Sequence, residues 1–301
     1  LTSRREILVG RTIHPHKRSK VEEYCGRSLC IRFVDFDPAS GQLDFPALER
    51  AISSSTAAVY FDNPNFFGVI EAGGRAISDL AHRHGALCIV GADPISLGVL
   101  LPPSGYGADL VCGDIQSLGM HMQFGGGQAG YIASRDEERF IAEFPNRITG
   151  LLPTRVPGEY GFGEIAFART SFIGRERGKE WVGTMANLWA INAGVYLALM
   201  GPQGMRELGE GLLARLHYAR QALGCINGLR LRFPGSPHFR EFLLDFSDSG
   251  KPVAEINRLL RQRGIFGGYD VGQAFPEFEH HALYCITEIH GQREIERLVA
   301  A

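Results

Sequence analysis

The chain has 301 residues, enough for one large domain or for a large and a small one. Its hydrophobic content of 45% and charged content of 21% are typical of a globular protein, and its net charge of −2 offers no basic face to a nucleic acid. No apolar run approaches the roughly 20 residues of a membrane span. The six cysteines have no CxxC spacing, which indicates buried thiols in a reducing compartment and favours the cytoplasm.

The first 135 residues alternate short β-branched runs with helical stretches. Helices are predicted in HKRSKVEEYCG, DFPALERAI and GRAISDLAHRHG. Strands are predicted in REILVG, LCIRFVDF, TAAVYF, ALCIVGAD, ADLVCGD and GYIAS. This alternation is typical of a mostly parallel, doubly wound α/β sheet.

The pattern changes after about Arg135. A Gly- and Pro-rich loop is predicted over LLPTRVPGEYGFGE, followed by the apolar helix EWVGTMANLWAINAGVYLALMG, which Gly201 and Pro202 should end. A helix apolar around much of its circumference should be buried between domains or at an interface. A second helix follows, and the last 75 or so residues read β-α-β-β-α, with strands in REFLLDF, GIFGG and HALYCITEI. We interpret this as a small α+β domain.

The stretch GGGQAG matches G-x-G-x-x-G at Gly125, Gly127 and Gly130. A dinucleotide site requires a strand before the motif and a helix after it, whereas this motif leads into a strand. We therefore interpret the stretch as a loop whose backbone packs against a neighbouring subunit or a cofactor.

Polar side chains follow three of the predicted strands, at the edge where α/β sheets bind ligands. Asp93 can pair with a cationic ring nitrogen there, or it can cap the turn before PISLG. His14 can stack on a flat cofactor, or it can belong to the start of the next helix. Asn65 can donate its amide to a ligand or form a turn. Histidine, cysteine and acidic residues show no metal-ligand spacing, so no metal is predicted.

Three long stretches combine into a known pattern: DNPNFFGVIE, GADPISLGVLLPPSGYGADLVCGDIQSLGMHMQFGGGQAGYIASRDE and GVYLALMGPQGMRELGE. They resemble subunit 1 of glycine dehydrogenase (decarboxylating), the α-type chain of the two-subunit P-protein of the glycine cleavage system. The resemblance covers nearly the whole chain. One region departs from it, because RERGKEWVGTMANL stands where such chains read like REKATSNICTNQAL, and this leaves open a paralogue in another pathway.

The resemblance implies the type I, aminotransferase-like fold of pyridoxal 5'-phosphate (PLP) enzymes. Residues 1–180 would form the large domain without its N-terminal part, 181–222 the connecting helices, and 223–301 the small α+β domain. The two-subunit complex decarboxylates glycine on PLP and passes the aminomethyl group to the lipoyl arm of H-protein. A heterotetramer with subunit 2, or another homo- or hetero-oligomer, is implied, with no nucleic-acid or membrane partner.

PLP-binding relatives carry their Schiff-base lysine in the loop before the glycine-rich bend, which falls here near Ser117 or Leu118. None of the four lysines is there, and a Schiff base needs an amine. The resemblance therefore implies that PLP resides on the partner subunit and that the isolated chain is inactive.

A relic of the cofactor pocket is nonetheless implied. In it, His14 corresponds to the ring-stacking position, Asp93 to the partner of the pyridine nitrogen and Ser96 to a group near the phenolic oxygen. Asn65 completes this set. The remaining predicted site residues belong to an interface or active-site loop: Gln116, Ser117, Gly125, Gly126 and Gly127. The alternatives are a catalytically inactive scaffold of the PLP fold and a self-sufficient aminotransferase, which the missing lysine disfavours.

Overall fold

A computed structural model describes residues 1–122, 129–180 and 186–301. Its larger sheet contains β1 Glu6–Gly10, β2 Cys30–Val34, β3 Thr56–Asp62, β4 Leu87–Gly91, β5 Leu110–Asp114 and β6 Gly130–Ser134. The strands lie in the order β2-β1-β3-β4-β5-β6. All neighbours are parallel except β5 and β6, which are antiparallel. The predicted mostly parallel sheet is thus confirmed.

Three helices connect the first four strands: α1 Pro15–Cys25, α2 Phe45–Ala51 and α3 Gly74–Arg83. Asp44 caps α2 by accepting a hydrogen bond from the Ala47 amide at 2.9 Å, and Pro46 lies in the first turn, where its missing N–H costs nothing. The inner strands β3 and β4 are mostly buried, as their apolar composition predicts, and they share a hydrophobic core with α2 and α3.

The region predicted as a Gly- and Pro-rich loop contains a two-stranded antiparallel ribbon, so that prediction was wrong. Strands β7 Ile148–Pro153 and β8 Tyr160–Ile165 pair along their whole length. Short helices flank the ribbon, α4 Glu138–Ile141 and α5 Ser171–Gly174. Glycines and a proline weaken the local strand pattern, but an edge ribbon tolerates both because each strand has a free side.

The long helix α6 runs from Asn187 to Gly224 with one break. Gly201 has φ 60° and ψ 178°, outside the helical region, and Pro202 follows it. The first apolar helix therefore ends at Gly201 and Pro202, as predicted. The second helix continues after this kink.

The smaller sheet contains β9 Arg230–Leu231, β10 Glu241–Asp245, β11 Tyr269–Asp270 and β12 His281–Cys285, in the order β11-β12-β10-β9. Helices α7 Val253–Gln262 and α8 Gln292–Val299 accompany it. The predicted strand in GIFGG is wrong, because the pairing begins only at Tyr269, where glycine gives way to larger side chains. The predicted division into a large domain (1–180), connecting helices (181–222) and a small domain (223–301) stays a prediction.

A cluster of phenylalanines joins the two sheets. Phe36, Phe66 and Phe67 follow the large sheet, and they contact Phe233 and Phe275 of the small-sheet region, with ring centroids 4.9 to 6.4 Å apart. Rings of this size bury large apolar areas and favour offset or edge-to-face contact. Within the described ranges, no helix is long and apolar enough to cross a membrane.

Candidate functional site

The candidate site lies at the carboxyl ends of β1, β3, β4 and β5, where the loops of a parallel sheet meet one edge. The start of β10 in the smaller sheet reaches the same edge. The crevice between them holds three carboxylates, from Asp62, Asp93 and Glu241, and two cations, from Lys17 and Arg240.

Asp93 has a hydrogen-bond donor on each carboxylate oxygen. Its Oδ2 accepts from Arg240 Nη1 at 2.7 Å, and its Oδ1 accepts from the Ile95 amide at 3.0 Å. About a quarter of each charged side chain is exposed, 25% for Asp93 and 22% for Arg240. Asp93 therefore caps the turn, as one interpretation proposed, and also pairs with a cation, which here is a protein side chain.

Arg240 itself was not predicted as a site residue. Burial lowers the pKa of its guanidinium, but Asp93 together with Cys285 and Glu241 more than offsets burial, so the pKa is raised and the charge is retained. The Arg240 Nε atom is buried and has no partner among the described residues. The ion pair of the guanidinium is formed with Asp93.

A second ion pair forms where β3 ends. The buried Asp62 carboxylate accepts from Lys17 Nζ at 2.9 Å and from the Tyr60 hydroxyl at 2.7 Å. Gly91 is required beside it, since a Cβ there would collide with Asp62 Oδ1. Burial and the Asp62 carboxylate raise the pKa of Tyr60, which keeps its hydroxyl a hydrogen-bond donor.

Glu241 lies between the two ion pairs. Its pKa is raised to about 7, mainly by burial; Asp93 contributes to the rise, while Arg240 and Lys17 oppose it. Cys285, its cross-strand neighbour, has a pKa raised by burial to about 12. This thiol is therefore not a thiolate nucleophile at neutral pH.

His14 caps α1 rather than pointing freely into the crevice. Its Nδ1 accepts a hydrogen bond from the His16 amide at 3.1 Å. Its ring also meets the Phe66 ring edge-on, with centroids 4.9 Å apart. Burial lowers the pKa of His14, and the nearby His16 and Lys17 lower it further, so the imidazole is neutral at pH 7.

Asn65 and Ser96 are buried and are used by their own loops. Asn65 donates to the Gly41 carbonyl at 2.8 Å and accepts from the Phe67 amide at 3.0 Å and the Val69 amide at 3.2 Å. Ser96 donates its hydroxyl to the Asp93 carbonyl at 2.7 Å. Of the two alternatives for Asn65, the structure therefore shows the turn former. An amide contact to a ligand would require these hydrogen bonds to break.

The loop after β5 continues the same edge. Gln116 donates its side-chain amide to the Met120 carbonyl at 2.7 Å, and Ser117 is half-buried. Leu118 is buried, with 3% of its surface exposed. Gly125, Gly126 and Gly127 lie outside the described residues.

Comparison with known proteins decides the family. A model of the glycine cleavage system P-protein family matches residues 2–300. The chain belongs to the glycine cleavage system P-protein family. Its relatives include proteins named "Probable glycine dehydrogenase (decarboxylating) subunit 1". The one from Moorella thermoacetica is 37% identical over 100% of this chain and 66% of its own length, and the one from Staphylothermus marinus is 36% identical over 99% and 63%. The chain thus spans about two thirds of the length of the curated relatives it matches.

Solved structures agree with this family and its fold. A crystal structure of glycine decarboxylase (P-protein) of the glycine cleavage system, in inhibitor-bound form, has a TM-score of 0.89 at 32% identity, over 99% of this chain and 65% of that one. Two other solved structures share the fold alone. Sphingosine-1-phosphate lyase from Burkholderia pseudomallei has a TM-score of 0.69 at 17% identity, over 99% of this chain and 62% of that one. A NifS-like protein from Rickettsia africae has a TM-score of 0.68 at 14% identity, over 98% of this chain and 74% of that one. The type I fold of PLP enzymes is confirmed.

The crevice of this P-protein chain does not fit PLP as a covalently held cofactor. All four lysines lie in the described ranges. Lys17 is bound to Asp62, Lys20 to Glu23 at 2.6 Å, and Lys179 to Glu143 at 2.9 Å. Lys251 is exposed just before α7. The loop at Ser117 and Leu118 offers a hydroxyl and an alkyl group, and neither can form a Schiff base with an aldehyde. Among the described residues, no group of three or more histidine, cysteine, aspartate or glutamate side chains could hold a metal.

Proposed function

We propose that this chain is the lysine-free subunit of a two-subunit glycine decarboxylase of the glycine cleavage system. The complex would decarboxylate glycine and pass the aminomethyl group to the lipoyl arm of H-protein. PLP supplies the electron sink for such chemistry, and the amine that anchors it would come from the partner, subunit 2. The carrying observation is the family match together with a loop at Ser117 and Leu118 that has no amine.

Within this proposal, the crevice is a relic pocket and the neighbouring loop faces the partner. We assign His14, Asn65, Asp93 and Ser96 to the relic pocket. Gln116, Ser117, Gly125, Gly126 and Gly127 would lie at the interface or beside the partner's active site. The proposed compartment is the cytoplasm, on the cysteine usage of the sequence.

A partner surface supports the proposal. One face of α6 exposes Leu188 (67%), Ile191 (63%), Val195 (54%) and Leu199 (81%), spaced three or four residues apart. The ribbon adds further apolar area, with Phe162 84% exposed. Single exposed apolar residues are ordinary, but a contiguous stripe marks an interaction site.

The occupant that we propose for this stripe is subunit 2, because the curated relatives carry the name subunit 1. Behind α6 lies an apolar cavity of about 700 Å³, lined among others by Pro94, Leu118 and Ala193. Pro94 follows Asp93 and Leu118 belongs to the loop after β5, so this cavity lies beside residues of the candidate site.

The experiment that tests this function is co-expression with a subunit 2 homologue, followed by glycine–bicarbonate exchange with H-protein present. Exchange is expected only when both chains are present. Ile191→Asp should weaken the association by about tenfold or more, since it buries a charge in the apolar stripe. Phe266→Asp is the matched control, because Phe266 is 91% exposed on a loop before β11, outside the α6 stripe.

A second candidate function is a scaffold of the same fold without a role in catalysis. The observation that favours it is the Arg240–Asp93 pair, which occupies the carboxylate that a cofactor ring would use. A complex that forms but shows no exchange with a competent partner would favour this scaffold and contradict the decarboxylase.

A further inference from the structure

Arg240 and Asp93 come from different parts of the fold. Asp93 follows β4 of the large sheet, and Arg240 directly precedes β10 of the small sheet. Their 2.7 Å contact uses the carboxylate oxygen that the turn does not use. A cationic ring nitrogen that paired with Asp93 would compete with Arg240 for this carboxylate.

The backbone holds Arg240 in place from both sides. Its φ of 62° lies in the left-handed region, which a residue with a side chain rarely adopts. The Arg240 carbonyl accepts from the Ile286 amide at 2.7 Å, and the preceding Phe239 amide donates to the Gly68 carbonyl at 2.8 Å. These bonds tie the residue to the small sheet on one side and to the large-sheet region on the other, so the guanidinium is aimed at Asp93.

Other contacts also connect the large-sheet region to the small-sheet region, and we call this meeting of the two regions the joint. Arg11 pairs with Glu277 at 2.6 Å, and Ser236 donates to the Ser40 carbonyl at 2.7 Å. The phenylalanine cluster lies beside them. The Arg240–Asp93 pair is thus one contact within a packed joint, and a ligand that displaced Arg240 would have to break into that joint.

We propose that Arg240 is a built-in substitute for the cationic cofactor ring at Asp93. The pair closes this crevice to noncovalent binding of PLP, just as the missing amine closes it to covalent binding. This inference refines the proposed function and rests on it, because the proposed function identifies the crevice as a relic of a PLP pocket. Its test uses the isolated chain without partner or glycine, so failure here is distinguishable from failure of the decarboxylase proposal.

The binding test uses 4-deoxypyridoxine 5'-phosphate, which carries the ring and phosphate but no aldehyde, so that exposed lysines cannot trap it. Calorimetric titration of the native chain should show no saturable binding up to about 1 mM. Arg240→Ala should bind at least about tenfold more tightly, because the Asp93 carboxylate is then left for the ring, and adding Asp93→Asn should abolish the gain.

The matched control is Arg11→Ala, which removes a cross-joint ion pair without touching Asp93. It should lower stability without creating binding. Saturable binding to the native chain that Asp93→Asn weakens would overturn the proposal. Equal binding by the native chain and by Arg240→Ala would also overturn it.

A double-mutant cycle gives a second, independent readout. Asp93→Asn and Arg240→Met should each raise the unfolding equilibrium constant at least about tenfold, since each leaves a partly buried charge unpaired. The unfolding equilibrium constant of the double variant should be at least about tenfold smaller than the product of the two single effects predicts. Strict additivity would show that the two side chains are not coupled and would overturn the proposal.

Discussion

Glu241 should make the stability of this protein fall as pH rises toward neutrality, and Glu241→Gln should remove that fall. The pKa of Glu241 is raised from 4.5 to about 7, by burial first and then by Asp93. Between these values the folded chain keeps a proton that the unfolded chain has released. The stabilisation is therefore complete below pH 4.5 and is lost as pH rises through about 7, by up to about 3 kcal/mol.

His238 acts in the opposite direction over an overlapping range. Its pKa is lowered from 6.5 to about 4, by burial and then by the nearby Arg220. Its contribution is present above pH 6.5 and is lost as pH falls to 4, again by up to about 3 kcal/mol. The two effects should partly cancel between pH 4.5 and 6.5, so the native chain should show a shallow pH profile there.

Glu241→Gln keeps the shape of the neutral carboxyl and removes its titration. The variant should match the native chain near pH 4 and exceed its unfolding free energy by about 1 to 3 kcal/mol at pH 8. Urea denaturation at five pH values across this range measures both chains. Glu49→Gln, which removes an exposed carboxylate from α2, controls for net charge. A difference between Glu241→Gln and the native chain that does not change with pH would refute the reasoning.

Three further substitutions, one of them a control, test the packing at Gly68 and the turn at Asn65. Gly68 has φ 76° and a Cβ there would overlap the Glu241 carbonyl, whereas Gly158 has φ 84° with nothing within 4 Å. Gly158→Ala should therefore lower the unfolding free energy by only roughly 1 to 2 kcal/mol, and Gly68→Ala should lower it by at least about 2 kcal/mol more. Equal losses in urea denaturation would contradict the close approach of Gly68 to the Glu241 carbonyl. Asn65→Ala should cost about 2 to 4 kcal/mol, since it orphans three buried backbone groups, and a loss below about 1 would contradict that role.

Much of the large domain could be predicted because its signals are local. Continuous apolar runs such as ALCIV predict buried parallel strands, and β4 confirms this. The break at Gly201 and Pro202 is equally local, since both residues disrupt helical backbone by themselves. The β7–β8 ribbon escaped prediction because its stability comes from cross-strand pairing rather than from the pattern of either strand.

The charged partners at the crevice could not be predicted from local patterns. Arg240 is 147 residues from Asp93, and Lys17 is 45 residues from Asp62. An arginine at the start of a strand and a lysine in the first turn of a helix are ordinary surface residues in sequence. Only the packing of the two sheets brings these charges to one edge, so the Arg240–Asp93 and Lys17–Asp62 pairs are visible in the structure alone.

The central claim is that this chain carries no lysine that anchors PLP, and one measurement tests it most directly. The complex of this chain with a subunit 2 homologue is loaded with PLP, reduced with borohydride and digested for peptide mass spectrometry. We predict phosphopyridoxyl-lysine in the partner and none in this chain. Stoichiometric modification of Lys17, the lysine at the crevice, that disappears in Lys17→Arg would contradict the claim.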